Sequence, residues 1–241
     1  MTPRESRINS INQYIIVKQH GGTIEVKTMP FSDFYLEAAF CEMPGRYIIH
    51  LQVAAVRGAS KMTTVYLIRH AEKPDKGKQG VDQKGGPDEE SLIPRGWQRS
   101  GALAIYFGEP GRLPLPDRIY ASSDKKERIA KNEKDGSHSK RPMQTISALA
   151  ARNNLAPIER FKGEEANLAR ELADWAGSAL VCWQHEAIPD IAKHLGVPSV
   201  PRAWPDDRFD VIWRFSRDGG PWTFDQICPQ LLHGDSKDPI K

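Results

Sequence analysis

The chain has 241 residues, 39% hydrophobic and 27% charged, with a formal net charge of +3. That balance excludes a disordered chain and allows one sizeable core, and the dispersed Lys and Arg do not call for nucleic acid as a partner. Three cysteines, Cys41, Cys182 and Cys228, lack zinc-ligand or disulfide-framework spacing; with no signal-peptide pattern and no bilayer-length apolar run, the chain reads as cytoplasmic and without a membrane partner.

In chain order, the first informative segment is INQYIIVKQHGGTIEVKTMP, where two apolar runs flank Gly21-Gly22. It resembles the end of a sensor histidine kinase ATP-binding domain, in which a helix, a Gly-Gly turn and a strand follow the last glycine-rich nucleotide box. The boxes for magnesium and adenine are absent, so ATP binding is not expected, and a plain turn between two apolar runs is the alternative. An incomplete domain cannot bury its own apolar face. Residues 1–61 therefore read as an N-terminal extension, a partial kinase-like remnant and not a working domain. An upstream start or an in-frame gene fusion would explain it, and residues 62–241 are left to carry the chemistry.

The run VYLIRHAEKP then stops an apolar β-type segment at Arg69 and His70. A buried parallel strand delivers its last residues to the carboxyl edge of a sheet, where open α/β folds bind ligands. Arg69 can fork two N–H donors onto phosphate oxygens, and a neutral nitrogen of His70 can attack phosphorus. Residues 72–90 are polar and rich in Gly and Lys, a composition that suits a loop at the mouth of a site. In SLIPRGWQRSGALAIYF, Leu92, Trp97, Ala102, Leu103 and Phe107 follow a helical pattern after Pro94 and Gly96. Arg95 and Arg99 on that helix either face a phosphate pocket or, as an amphipathic pattern favours, are solvated surface charges.

Arg118 to Ser122 reads as a strand. The basic stretch from Asp124 to Lys140 is either a flap over a phosphate pocket or a solvated insertion, with His138 incidental. SKRPMQTISALAARNNL reads as a helix with Pro142 in its first turn, which places Arg141 at a helix N-terminus, a natural anion site. Glu164 and Glu165 open a further helix pattern. ALVCWQHEAIPDIAKHLG begins as a buried strand, holds Cys182 as an apolar filler, ends at His185 and continues as a helix with Ile188, Ile191, Ala192 and Leu195. Finally, apolar-aromatic alternation on both sides of Asp218-Gly219-Gly220 signals a hairpin. Asp206, Asp207 and Arg208 before it read more simply as a turn than as a substrate-facing wall.

From residue 63 to about residue 235 this order of segments resembles the histidine phosphatase superfamily, which includes phosphoglycerate mutase-like phosphatases. The resemblance rests on Arg69-His70-Ala71, on Arg141 with Gln144 and Thr145, and on His185. It implies an α/β fold: a largely parallel sheet with helices on both faces and a C-terminal hairpin. It implies metal-independent hydrolysis of a phosphomonoester, with no cofactor, through a phosphohistidine on His70. Arg69, Arg141 and His185 would bind the phosphoryl group. The proton donor is Glu186, by resemblance to the His-Asp pair of the acid phosphatase branch, or Glu164 or Glu165, with Glu72 a weaker option. A mutase using the same intermediate and a non-catalytic phosphoprotein-binding module are the rival readings. The partner is a phosphorylated small molecule or a phosphoprotein, and the oligomeric state is left open.

Overall fold

The structure is a computed structural model that describes residues 6–9, 14–20, 23–28, 34–43, 46–55, 62–75, 77–125, 137–197 and 199–241. The chain divides into two compact units, residues 1–60 and 61–241. In the first, β1 (Ser6–Asn9), β2 (Tyr14–His20) and β3 (Thr23–Thr28) form an antiparallel sheet in that order. A separate antiparallel pair joins β4 (Phe34–Met43) to β5 (Arg46–Ala55). Residues 14–20 are thus a strand, and the helix that the kinase resemblance implies before Gly21-Gly22 is not formed there. The β-branched run Ile15, Ile16 and Val17 favours the pleated state, which accounts for the difference.

The second unit is built on one mixed sheet. Its elements, in chain order, are β6 (Met62–Arg69), α1 (Pro94–Tyr106), β7 (Arg118–Ser122), α2 (Arg141–Arg152), β8 (Ile158–Arg160), α3 (Glu165–Asp174), β9 (Gly177–Trp183), α4 (Ile188–His194), β10 (Ile212–Asp218) and β11 (Thr223–Ile227). The strand order is β11-β10-β6-β9-β7-β8. β6, β9, β7 and β8 are parallel, and the C-terminal hairpin β10-β11 adds antiparallel to β6. This is the α/β arrangement expected from the sequence, hairpin included.

Central strands bury both faces, which is why they read as continuous apolar runs and not as alternating ones. Val65 and Leu67 of β6 pack with α3 and α4 through Leu168, Leu172, Ile188 and Ile191, in a cluster that also holds Trp183, Trp204 and Trp213. Tyr66 and Ile68, on the opposite face, pack with α1 and α2 through Leu103, Phe107, Ile146 and Leu149. Helices therefore cover both faces, and the loops that leave the strand ends gather at one edge. Among the described residues no helix is long and apolar enough to cross a membrane.

Two local features set the geometry of that edge. Pro94 starts α1, and Gly96 lets the helix press on the backbone just past β6: a Cβ there would lie 2.7 Å from the Glu72 carbonyl oxygen. The Ile93 amide donates to that same carbonyl at 3.1 Å. α2 begins at Arg141 with Pro142 in its first turn, as its pattern predicts.

Candidate active site

β6 and β9 are adjacent and parallel, with Arg69 opposite Trp183. The His70 amide extends the pairing by donating to the Trp183 carbonyl at 3.0 Å. His70 and His185 thus leave neighbouring strands at the same sheet edge. His70 is buried, 4% exposed. Its Nδ1 lies 2.8 Å from the Ala71 carbonyl oxygen, which can only accept, so Nδ1 carries the proton and Nε2 keeps a lone pair. Burial, and after it the charges of Arg69, Arg141 and His185, hold the ring neutral and bring its pKa down to about 3. A neutral imidazole with its second nitrogen bare is the form that can attack phosphorus.

The loop under His70 is braced from α1 and α2. The Thr145 hydroxyl accepts from the Ala71 amide at 2.8 Å and donates to the Arg141 carbonyl at 2.7 Å, tying the residue after the nucleophile candidate to the first turn of α2. Gln144 accepts from the Leu92 amide at 2.9 Å and donates to Ser91 at 2.7 Å. Glu72 lies against Arg99, with Nη2 to Oε1 at 2.7 Å and Nε to Oε2 at 3.1 Å, and Arg99 also forks onto Asp235 at 2.8 and 2.9 Å. Arg95 touches both carboxylates, at 3.1 and 3.3 Å. Arg99 is therefore not the solvated charge that the helical pattern suggests. It is buried, because the C-terminal segment brings Asp235 over it. The same fork occupies Glu72.

Arg69 is 2% exposed. Its Nη1 donates to the carbonyls of Pro205 at 3.0 Å and Asp206 at 2.6 Å, and its guanidinium stacks on Phe209 at 3.9 Å. Burial lowers its pKa to about 10, still well above neutrality. Its Nε and Nη2 are buried without a partner, as is Nε of Arg141. Arg141 spends Nη1 on the Glu89 carbonyl at 2.9 Å. Burial also lowers its pKa, opposed by Glu90, Asp88 and Glu186. Buried N–H donors without acceptors are costly unless a ligand or water completes them. Most such orphans among the described residues sit on segments that leave the carboxyl ends of the strands or open α2, including Ser122 Oγ and both side-chain amide atoms of Gln184. No sequence pattern marks Phe209, whereas Gln184 stands directly before a strand-end His.

His185 lies between two carboxylates. Asp206 Oδ1 is 2.5 Å from Nε2, and Glu186 Oε2 is 3.0 Å from Nδ1 but out of line for a hydrogen bond. Burial and then Arg69 lower the pKa of the ring, while Glu186 and Asp206 push the other way. Glu186 is also paired with Lys162, Nζ to Oε1 at 2.7 Å. Burial works to raise its pKa, but the Lys162 hydrogen bond and the neighbouring charges outweigh it and the net shift is downward. That favours the ionised form, the opposite of what a proton donor needs. Glu164 accepts from the Phe161 amide at 2.9 Å, and Glu165 from the Gly163 amide and from Trp183 Nε1 at 2.9 Å, so both are spent on their own helix start and strand. Asp206, read from the sequence as a simple turn residue, is in fact in contact with a site histidine.

A cavity of about 760 Å³ opens beside Arg141, lined by Lys73, Pro74, Lys78, Glu89 and Glu90, so the polar loop after His70 comes to the side of Arg141. Most of the basic stretch from Asp124 to Lys140 lies outside the described residues; His138 is exposed. Cys182 is buried, and burial pushes its thiol pKa up, in keeping with a filler. Among the described residues no group of three or more His, Cys, Asp or Glu is placed to hold a metal ion.

No protein-family model matches the chain, and no curated protein matches it. Solved structures do resemble it. A mycobacterial glucosyl-3-phosphoglycerate phosphatase is 13% identical, covering 68% of this chain and 97% of its own, with a TM-score of 0.43. A phosphoglycerate mutase from Bacillus anthracis str. Sterne is 10% identical over 70% of this chain and 93% of its own, with a TM-score of 0.43. A structure described as mycobacterial hydrolase 1 is 12% identical over 68% and 97%, with a TM-score of 0.44.

Proposed function

We propose that residues 62–241 form a phosphomonoesterase of the histidine phosphatase type, acting through a phosphohistidine on His70, and that residues 1–61 take no part in the reaction. The observation that carries this reading is the state of His70: buried, neutral, with Nδ1–H tied to the Ala71 carbonyl and Nε2 left as the lone pair. Around it stand the positive charges of Arg69 and Arg141 and the ring of His185, with buried N–H groups that lack acceptors. Three equatorial phosphoryl oxygens would satisfy those donors, and positive charge placed where negative charge develops is the main source of rate in phosphoryl transfer. The reading needs no metal and no cofactor, because the arginines supply the charge.

In the first step Nε2 of His70 attacks phosphorus as the ester oxygen leaves. Arg69, fixed by three backbone carbonyls of the 205–208 loop and by Phe209, presents its remaining N–H groups to the phosphoryl oxygens. Arg141 adds the charge of α2's first turn, and His185 donates from Nε2. Glu186, held ionised by Lys162, places a negative charge on the Nδ1 side of the His185 ring. Water then hydrolyses the phosphohistidine. The cavity beside Arg141 is large enough for a phosphorylated small molecule or a phosphorylated side chain.

Rapid-quench labelling of the full chain with a radiolabelled phosphomonoester tests this. An acid-labile, base-stable phosphoenzyme is expected, and His70→Ala should abolish it together with turnover, a loss of about 10⁴-fold or more for removal of a nucleophile. Normal labelling of His70→Ala would overturn the reading.

A further inference from the structure

We propose that Asp206 is the proton donor to the leaving oxygen. This assignment rests on the phosphohistidine reading above. The ester oxygen departs as an alkoxide unless it is protonated, and His70 cannot supply the proton, because its single N–H is committed to Ala71. Four carboxylates on the neighbouring segments are occupied. Glu72 is forked by Arg99, Glu164 and Glu165 bind backbone amides, and Glu186 binds Lys162.

Asp206 differs from these four in being anchored by its backbone, with its carboxyl exposed against the His185 ring. Its carbonyl accepts from Arg69 Nη1 at 2.6 Å, which fixes the residue against a phosphate-binding guanidinium. Its carboxyl reaches His185 Nε2 at 2.5 Å yet is 82% exposed, so one rotation of the side chain releases it. It now occupies the hydrogen-bonding position on His185 that a phosphoryl oxygen must take. An entering phosphoryl group takes that position and displaces the carboxyl toward the ester oxygen.

The step balances. Nε2 of His70 forms a bond to phosphorus, the bond from phosphorus to the ester oxygen breaks with its electron pair on oxygen, and that oxygen takes the proton of Asp206, giving the alcohol, the phosphohistidine and the Asp206 carboxylate. In the second step water bonds to phosphorus, the N–P bond returns its pair to His70, and the water proton passes to Asp206.

The test compares phenyl phosphate, a poor leaving group, with dinitrophenyl phosphate, a good one, and reads the rate of phosphoenzyme formation by rapid quench, since the hydrolytic step is common to both. Asp206→Asn should slow labelling by phenyl phosphate by about 10²-fold or more and labelling by dinitrophenyl phosphate only a few-fold, because an activated leaving group needs little protonation. Asp207→Asn, which removes the adjacent charge, should lack that selectivity. Equal loss for both substrates in Asp206→Asn, faster labelling, or the selective loss appearing in Glu186→Gln instead would overturn the assignment while leaving the nucleophile intact. Loss of the phosphohistidine reading itself would show separately, as normal labelling of His70→Ala.

Discussion

His70 and His185 leave adjacent parallel strands of one sheet, yet their surroundings divide the work between them. His70 is buried just before a loop that α1 and α2 hold, with its N–H on a neighbouring carbonyl and positive charge around it, so its second nitrogen keeps its lone pair. His185 is more open, and carboxylates approach both of its ring nitrogens. The same residue type at the same topological position becomes a nucleophile candidate in one case and an adaptable donor in the other. The difference lies in what long-range packing brings to each. Three changes would break or sharpen that contrast.

The largest effect is expected on the His70 side. Arg99→Met would leave Glu72 and Asp235 facing each other in a buried site with only Arg95 to neutralise them. Breaking a buried ion network by removing one partner costs about 3–5 kcal/mol, and the remaining Arg95 places this case at the lower end. A denaturant midpoint series would read it. A loss below about 1 kcal/mol would mean that the network behaves like an exposed pair and does not brace the loop after His70.

Arg69→Lys comes next and tests the ground between the two histidines. Lysine keeps the charge but loses the fork, which spends one nitrogen on the 205–208 carbonyls and leaves two buried without a partner. About a 10²-fold fall in kcat is expected, the scale of losing an oriented donor to developing charge. An unchanged kcat would show that charge alone suffices and that the orphaned N–H groups are not aimed at substrate.

A third test concerns pH and stability. With the folded pKa of His70 near 3 and an ordinary value of 6.5, the unfolded chain binds a proton between those pH values that the folded chain does not. Stability therefore rises with pH across that window and falls as pH drops through it, by up to about 1.4 kcal/mol per pH unit from this group. His70→Gln should flatten the slope between pH 3 and 6.5 in equilibrium unfolding. His185→Gln should flatten it less, because its half-buried ring is pulled back toward protonation by Glu186 and Asp206. Equal slopes for wild type and His70→Gln would mean that the ring is not held neutral.

The sequence by itself determined the elements and the ends they point to. Apolar runs stopping at Arg69-His70 and at Gln184-His185 mark two buried strands, Pro94 and Pro142 mark two helix starts, and Asp218-Gly219-Gly220 marks the hairpin, because each rests on local sterics or on a short hydrophobic period. The positions of Arg69, His70, Arg141 and His185 follow from the same local signals. Tertiary structure decided what touches these residues. Arg99 meets Asp235 across 136 positions of sequence, Lys162 meets Glu186 across 24, and Asp206 reaches a histidine that precedes it by a whole helix. A helical pattern assigns an arginine to a face but does not say whether a later segment will cover that face, which is why Arg99 reads as solvated and is buried. Protonation states depend on the same long-range contacts: a carboxylate next to a histidine in sequence looks like a proton donor until a lysine from another loop holds it ionised. Charge and hydrogen bonding act through space over a few ångströms, and only the folded chain sets those distances.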